Sequence, residues 1–134
     1  MHCECRLQVR SYECDSYGHV NNANYVHYLE FARGEYMKAV GFDYPRLIAE
    51  GFFTVITRID ISYRLSAKAD DELVIETWPV ARRRIAGTLR QVIRKGDAVV
   101  AEADVSWCLT NRDGMPSRPP AWADLSAFDA EPDA

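Results

Sequence analysis

One stretch of this chain repeats with the period of a helix, and nearly everything after it alternates with the period of a strand. From Asn24 to Val40 the apolar residues Tyr25, Tyr28, Leu29, Ala32, Tyr36 and Val40 recur at three- and four-residue spacings, the pattern of an amphipathic helix. Glu30, Arg33, Glu35 and Lys38 fill polar positions between them. Glu30–Arg33 and Glu35–Lys38 stand three residues apart, where they can pair along the helix surface. Asn21, Asn22 or Asn24 can cap the start, and Gly41 is placed to end it.

Beyond the helix the alternation changes. Phe52 to Leu65 is rich in β-branched and aromatic residues, with Ile59, Ile61 and Tyr63 set against Arg58, Asp60, Ser62 and Arg64, as a half-buried strand requires. Asp70-Asp71 marks a turn, and Leu73 to Trp78 follows as a strand stopped by Pro79. Residues 83–95 alternate again, Lys95-Gly-Asp97 signals a tight hairpin, Ala98 to Leu109 supplies the return strand, and Asn111 to Gly114 turns the chain. A strand, a long helix and four further strands on short turns predict an α+β fold, an antiparallel sheet with one helix packed on its concave face. Such a sheet leaves open edges, so pairing with a second copy is expected.

A chain of 134 residues with 48% hydrophobic content is long enough to bury one core. A single domain over residues 1–128 is expected, followed by a disordered acidic tail at 129–134. No apolar run approaches the roughly 18 residues that span a bilayer. The opening Met1-His-Cys-Glu-Cys-Arg lacks the layout of a signal peptide, so a cytoplasmic protein with its four cysteines reduced is expected. The formal charge of −4 argues against a general nucleic-acid binder. His2, Cys3 and Cys5 lack a second pair at zinc spacing, so no metal is expected.

The segment Tyr12-Glu-Cys-Asp-Ser-Tyr-Gly-His-Val-Asn-Asn-Ala-Asn-Tyr25 brings a carboxylate, Asp15, into the loop that enters the helix. Helix starts expose unpaired N–H groups and the positive end of the macrodipole. A carbonyl placed there is polarised, with Asp15 beside it to deliver water or to attack. That is hydrolytic chemistry on an activated carbonyl. Gly18 permits a tight turn near a ligand. Glu13 is expected to project to the other side of an extended segment, and His19 to orient the ligand or support the loop.

Val9-Arg-Ser-Tyr12, Asp15, Gly18-His-Val-Asn-Asn22, Tyr25 and Glu30-Phe-Ala-Arg33 resemble the hotdog-fold acyl-CoA thioesterases of the 4-hydroxybenzoyl-CoA thioesterase type, with weaker matches at Ile61-Ser-Tyr63, Asp70 to Leu73, Ile75 to Thr77 and Trp107. The resemblance covers residues 6–120. It implies a five-stranded antiparallel sheet wrapped around one long helix, joined edge to edge with a second copy and commonly assembled as a dimer of dimers, a homotetramer. It implies an acyl-CoA substrate, no cofactor, Asp15 as the catalytic carboxylate and the Asn22 backbone amide as the donor to the thioester oxygen. Some branches carry the carboxylate on the helix, which makes Glu30 and Glu35 secondary candidates. The ligand pocket would lie between protomers, with Gly18 and Tyr25 near the substrate, although Tyr25 and Tyr28 also fit the helix core.

Arg82-Arg-Arg84, with Arg90 and Arg94, forms the basic cluster of an acidic chain. CoA carries several phosphate charges, and arginine matches phosphate oxygens bidentately. Arg83 and Arg84 are therefore the expected CoA contacts. The competing readings are a hotdog hydratase or dehydratase acting on acyl thioesters, and a non-catalytic acyl-CoA binding protein. Acyl carrier protein is an alternative thiol carrier.

Overall fold

The computed structural model describes residues 1–131. Five strands form one antiparallel sheet: β1 (Cys3–Gln8), β2 (Phe53–Tyr63), β3 (Glu72–Arg83), β4 (Ala86–Lys95) and β5 (Ala98–Thr110). Their order across the sheet is β1-β3-β4-β5-β2, so the first two strands in sequence form its two edges. The long helix α1 (Asn22–Ala39) follows β1, and a short helix α2 (Tyr44–Ala49) leads into β2.

The expected helix face is the buried one: Tyr25, Tyr28, Leu29, Ala32 and Tyr36 are nearly inaccessible. On the sheet beneath, Leu73, Ile75, Thr77 and Pro79 of β3 turn inward at every second residue. The interior divides into two clusters along α1. The first joins Tyr25, Tyr28, Leu29 and Ala32 to Leu73, Ile75, Ile93 and Val105. The second joins Tyr36 to Leu47, Leu89, Trp107, Leu109 and Phe128.

Several boundaries differ from expectation. α1 starts at Asn22, two residues early, because Asn21 is its cap and accepts from the Ala23 N–H at 2.9 Å. Gly41, at φ +74°, follows the helix end. Of the two expected surface pairs, Lys38–Glu35 forms at 3.3 Å, whereas Arg33 turns inward to Gln91 at 3.2 Å. α2 was not expected from periodicity, since six residues are too few to show it. Its signals are local ones, an Asp43 cap that accepts from the Arg46 N–H at 3.1 Å and a proline in its first turn. β3 does not stop at Pro79 but runs on to Arg83, because the register shifts between Pro79 and Ala81 and an irregularity there tolerates the missing N–H. β4 begins at Ala86 rather than at residue 83.

After β5 the chain returns beneath the end of α1 as a turn of 3-10 helix, Leu125–Phe128, where the Tyr36 hydroxyl donates to the Ala127 carbonyl at 2.6 Å. Asp129 pairs with Arg82, and Glu131 with the N-terminal ammonium. The rest of the expected tail, residues 132–134, lies outside the described residues. The four cysteines are unpaired. No helix among the described residues is long and apolar enough to cross a membrane.

Candidate active site

The loop between β1 and α1 is tied down from several directions before any reactive group is considered. Cys14 bridges to Val20 and His19 to Lys68. The Val20 N–H donates to the Ala67 carbonyl at 2.8 Å, and the Asn21 N–H to the Glu13 carbonyl at 3.0 Å. Inside that frame Asp15 closes a tight turn: its N–H donates to the His19 carbonyl at 2.8 Å, and its carbonyl accepts from the Gly18 N–H at 3.0 Å. Gly18 sits at φ +80°, a conformation that costs a Cβ-bearing residue heavily.

The Asp15 side chain is exposed and half committed. Its Oδ1 accepts from the Tyr17 N–H at 2.9 Å and the His19 N–H at 3.4 Å. Oδ2 has no hydrogen bond among the described residues, which leaves one carboxylate oxygen aimed by the other. The Asn22 N–H, first in α1, has no carbonyl four residues back within the helix. The Tyr63 hydroxyl donates to the Asn22 carbonyl at 3.1 Å, which ties the helix start to the end of β2. Asp15 and the Asn22 amide thus share one short, braced loop.

His19 enters this turn through its backbone and sits exposed at the surface. Tyr25 is 4% exposed and its hydroxyl accepts from the Ala67 N–H at 3.0 Å, so within one protomer it braces the loop from below. Glu30 is exposed and Glu35 half-buried, both farther along α1.

Glu13 departs from expectation. It does not point away but is buried at the root of the loop. Its Oε1 accepts from the Arg10 N–H at 2.7 Å and the Tyr28 hydroxyl at 3.0 Å, and its Oε2 accepts from the Arg10 guanidinium at 2.7 Å. Burial pushes the carboxyl up, but the bonds from Arg10 and Tyr28 prevail and hold it below the ordinary glutamate value. The Asn24 amide also donates to the Glu13 carbonyl at 2.8 Å. The polar residue nearest to Asp15 on the chain's N-terminal side is therefore a clamp.

The arginine cluster lies elsewhere in the protomer. β3 carries twelve residues between the loop and the hairpin, about 36 Å at roughly 3.3 Å per residue. Arg84 occupies the hairpin with φ +51°, and Arg82 Nη1 donates to its carbonyl at 2.9 Å. Arg82, Arg84 and Arg118 line an open cleft of about 610 Å³ against the segment around residues 116–126, whereas Arg83 is exposed outside it.

Sequence reasoning missed a second feature under the C-terminal half of α1. A cavity of about 40 Å³ is lined by Arg33, Met37, Phe42, Ile56, Trp107 and Phe128. Burial lowers the Arg33 pKa, opposed by Glu30 and Tyr44. Among the described residues no group of three or more His, Cys, Asp or Glu side chains is arranged to hold a metal.

A family model described as the thioesterase-like superfamily matches residues 9–125. The chain is 32% identical over 106 residues to the long-chain acyl-CoA thioesterase FadM of Escherichia coli (strain K12), covering 78% of this chain and 80% of that protein. It is 30% identical over 103 residues to the acyl-CoA thioester hydrolase YbgC of Escherichia coli O6:H1, covering 75% and 77% of the two chains. Among solved structures, a Bartonella henselae protein described as a probable thioesterase superposes with a TM-score of 0.84 at 26% identity, over 90% of this chain and 100% of that one.

Proposed function

The chain belongs to the thioesterase-like superfamily, has the expected hotdog architecture, and, we propose, hydrolyses an acyl-CoA thioester to the free acid and CoA. The observation that carries this reading is the pairing of a half-free Asp15 carboxylate with an Asn22 N–H that has no acceptor among the described residues, both on one braced loop. In the proposed reaction, water adds to the thioester carbon while Asp15 Oδ2 takes its proton. The Asn22 N–H donates to the oxyanion, a contact of the kind worth about 2.7–4 kcal/mol of barrier. Collapse expels the CoA thiolate, which recovers the proton from Asp15. In the alternative route Asp15 attacks directly to give a mixed anhydride; water cleaving it at the aspartyl carbonyl leaves its oxygen on Asp15, so label on Asp15 after a single turnover in labelled water marks that route.

The site works as a shared one. β2 is an eleven-residue edge whose Phe53, Val55, Ile56 and Tyr63 are exposed, and such an edge recruits another strand. Antiparallel pairing of two β2 strands about an axis near Arg58 sets Tyr63 beside the partner's Phe53. That arrangement brings the Asp15 loop of one protomer to the Arg33 cavity and the arginine hairpin of the other. It supplies what one chain lacks, since Asn22 and Arg33 are eleven residues apart on α1, about 16 Å. In this reading Arg84 meets the CoA phosphates from across the interface, Arg83 flanks it, and His19 supports the loop. The pairing gives a dimer, and light scattering counts whether two dimers join.

The deciding experiment is thiol release from a panel of acyl- and aroyl-CoAs, with wild type beside Asp15→Asn. Thiol release that disappears in the variant supports the reading. A hydratase releases no thiol, and a binding protein is stabilised by acyl-CoA without turnover. Near-wild-type turnover by Asp15→Asn overturns the assignment.

A further inference from the structure

Arg33 stands where a charge is expensive to keep. A guanidinium carries five N–H donors, yet among the described residues that of Arg33 makes a single hydrogen bond, to the neutral Oε1 of Gln91 at 3.2 Å. None of the ion pairs among the described residues includes it, not even one with Glu30 on the same helix. Arg33 is half-buried, Glu30 favours its charge without pairing with it, and most of its N–H groups are uncommitted among the described residues. The support behind it is nevertheless complete. Gln91 is fully buried, and its amide nitrogen donates to the Leu29 carbonyl at 3.0 Å and to Thr77 Oγ1 at 3.1 Å, which turns its oxygen towards Arg33. Trp107, on a wall of the same cavity, has its Nε1 buried with no acceptor among the described residues.

The uncommitted N–H groups of Arg33 and the indole of Trp107 therefore belong to one cavity, whose other walls are apolar apart from Thr54. We propose that this cavity receives the far end of an acyl chain carrying a carboxylate, so that the preferred thioester is that of a dicarboxylic acid and Arg33 is the residue that selects it. The size fits: about 40 Å³ admits a group of a few heavy atoms and not a long alkyl tail. The chemistry fits as well, because a guanidinium held on one side by Gln91 presents its remaining N–H fork to a carboxylate, a match that lysine cannot reproduce in geometry. The methylenes between thioester and carboxylate would lie against Met37, Phe42 and Ile56. The proposal rests on the thioesterase reading for the bond that is cut, and on the cavity alone for the group that is held.

The test compares glutaryl- with pentanoyl-CoA and adipyl- with hexanoyl-CoA, pairs of equal carbon number, in wild type, Arg33→Met and Arg33→Lys. The expected result is a preference for the carboxylated member of at least tenfold in kcat/KM in wild type. Arg33→Met loses that preference while its alkanoyl turnover stays within about threefold, and Arg33→Lys retains part of it. Equal or better use of the alkanoyl-CoAs by wild type overturns the proposal. So does an Arg33→Met protein that loses all substrates equally, or one that falls to monomers with its selectivity unchanged, because the guanidinium then serves packing or the partner subunit. Calorimetric binding of adipyl- and hexanoyl-CoA to Asp15→Asn separates this from the parent reading. Tighter adipyl-CoA binding supports the pocket even if wild type releases no thiol, and equal binding overturns it whatever the turnover.

Discussion

The two halves of α1 are built on opposite principles. At its N-terminal end every strong polar group near the core has a partner: Glu13 takes Arg10 and Tyr28, Asn24 takes the Glu13 carbonyl, and Tyr25 takes the Ala67 amide. At its C-terminal end, among the described residues, Arg33 has one neutral partner and Trp107 Nε1 has none. A closed polar network fixes geometry, whereas an open one is paid for only when something completes it. The first end is made to hold a reactive loop still, and the second to receive something from outside the protomer.

The largest test of that contrast is to separate chemistry from stability at the closed end. Asp15→Asn keeps an Oδ1 acceptor for the Tyr17 and His19 amides, so the melting temperature should stay within a degree or two. Its kcat should fall about a thousandfold, the scale of a lost general base. A matching loss of stability would show that Asp15 holds the loop rather than acting from it.

Next is the clamp itself. Glu13→Gln keeps the shape of the side chain but leaves the Arg10 guanidinium and the Arg10 amide with a weaker acceptor, in a site where the Glu13 side chain is 9% exposed. The expected cost is about 2–3 kcal/mol, read by urea unfolding. The pH dependence has a definite sign. The native carboxyl lies below its unfolded value, so its stabilisation is present above roughly pH 4.3 and is lost as pH falls through the lowered native value. Wild type should lose its advantage over Glu13→Gln in that acid range. An advantage unchanged down to pH 3 would remove Glu13 from the closed network.

That clamp also marks where sequence stopped being informative. The helix face, the strand alternation and the loop with Asp15 and Gly18 are local patterns, so each could be located from residue order. Glu13 could not, because an exposed and a buried glutamate have the same neighbours in sequence. What distinguishes them is Tyr28, fifteen residues on. Arg33 reads as a surface partner of Glu30 by helical spacing, and only the β4 register that places Gln91 beneath α1 turns it inward. α2 and the Leu125–Phe128 turn escaped for another reason: at six and four residues they are too short for a periodic pattern to repeat. Their signals were local ones, the Asp43 cap with Pro45 for α2 and the Asp124 cap for the turn.

The open end yields a smaller effect, on binding rather than rate. Arg84 lines the broad cleft beside Arg118, and Arg83 does not. Arg84→Ala should therefore raise KM for acyl-CoA about fivefold with kcat little changed, and Arg83→Ala should raise it less. With an acyl-pantetheine, which lacks the nucleotide phosphates, both variants should match wild type. An equal defect on both substrates would place the arginines in the fold rather than against CoA.

The smallest effect falls on two adjacent asparagines and probes the closed end most finely. Asn21 is the cap of α1, its side chain bound to the Ala23 N–H at 2.9 Å, and Asn21→Ala should cost about 1 kcal/mol. The Asn22 side chain is exposed and makes no hydrogen bond among the described residues. Asn22→Ala should leave stability within about 0.5 kcal/mol, and turnover close to wild type, because the group assigned to the thioester oxygen is a backbone N–H that the substitution preserves. Asn22→Pro deletes that N–H, at a first helical position where proline's fixed φ is compatible with the helix. A folded Asn22→Pro protein with normal turnover would show that the oxyanion is held elsewhere, and a folded, inactive one beside an active Asn22→Ala assigns the amide rather than the side chain.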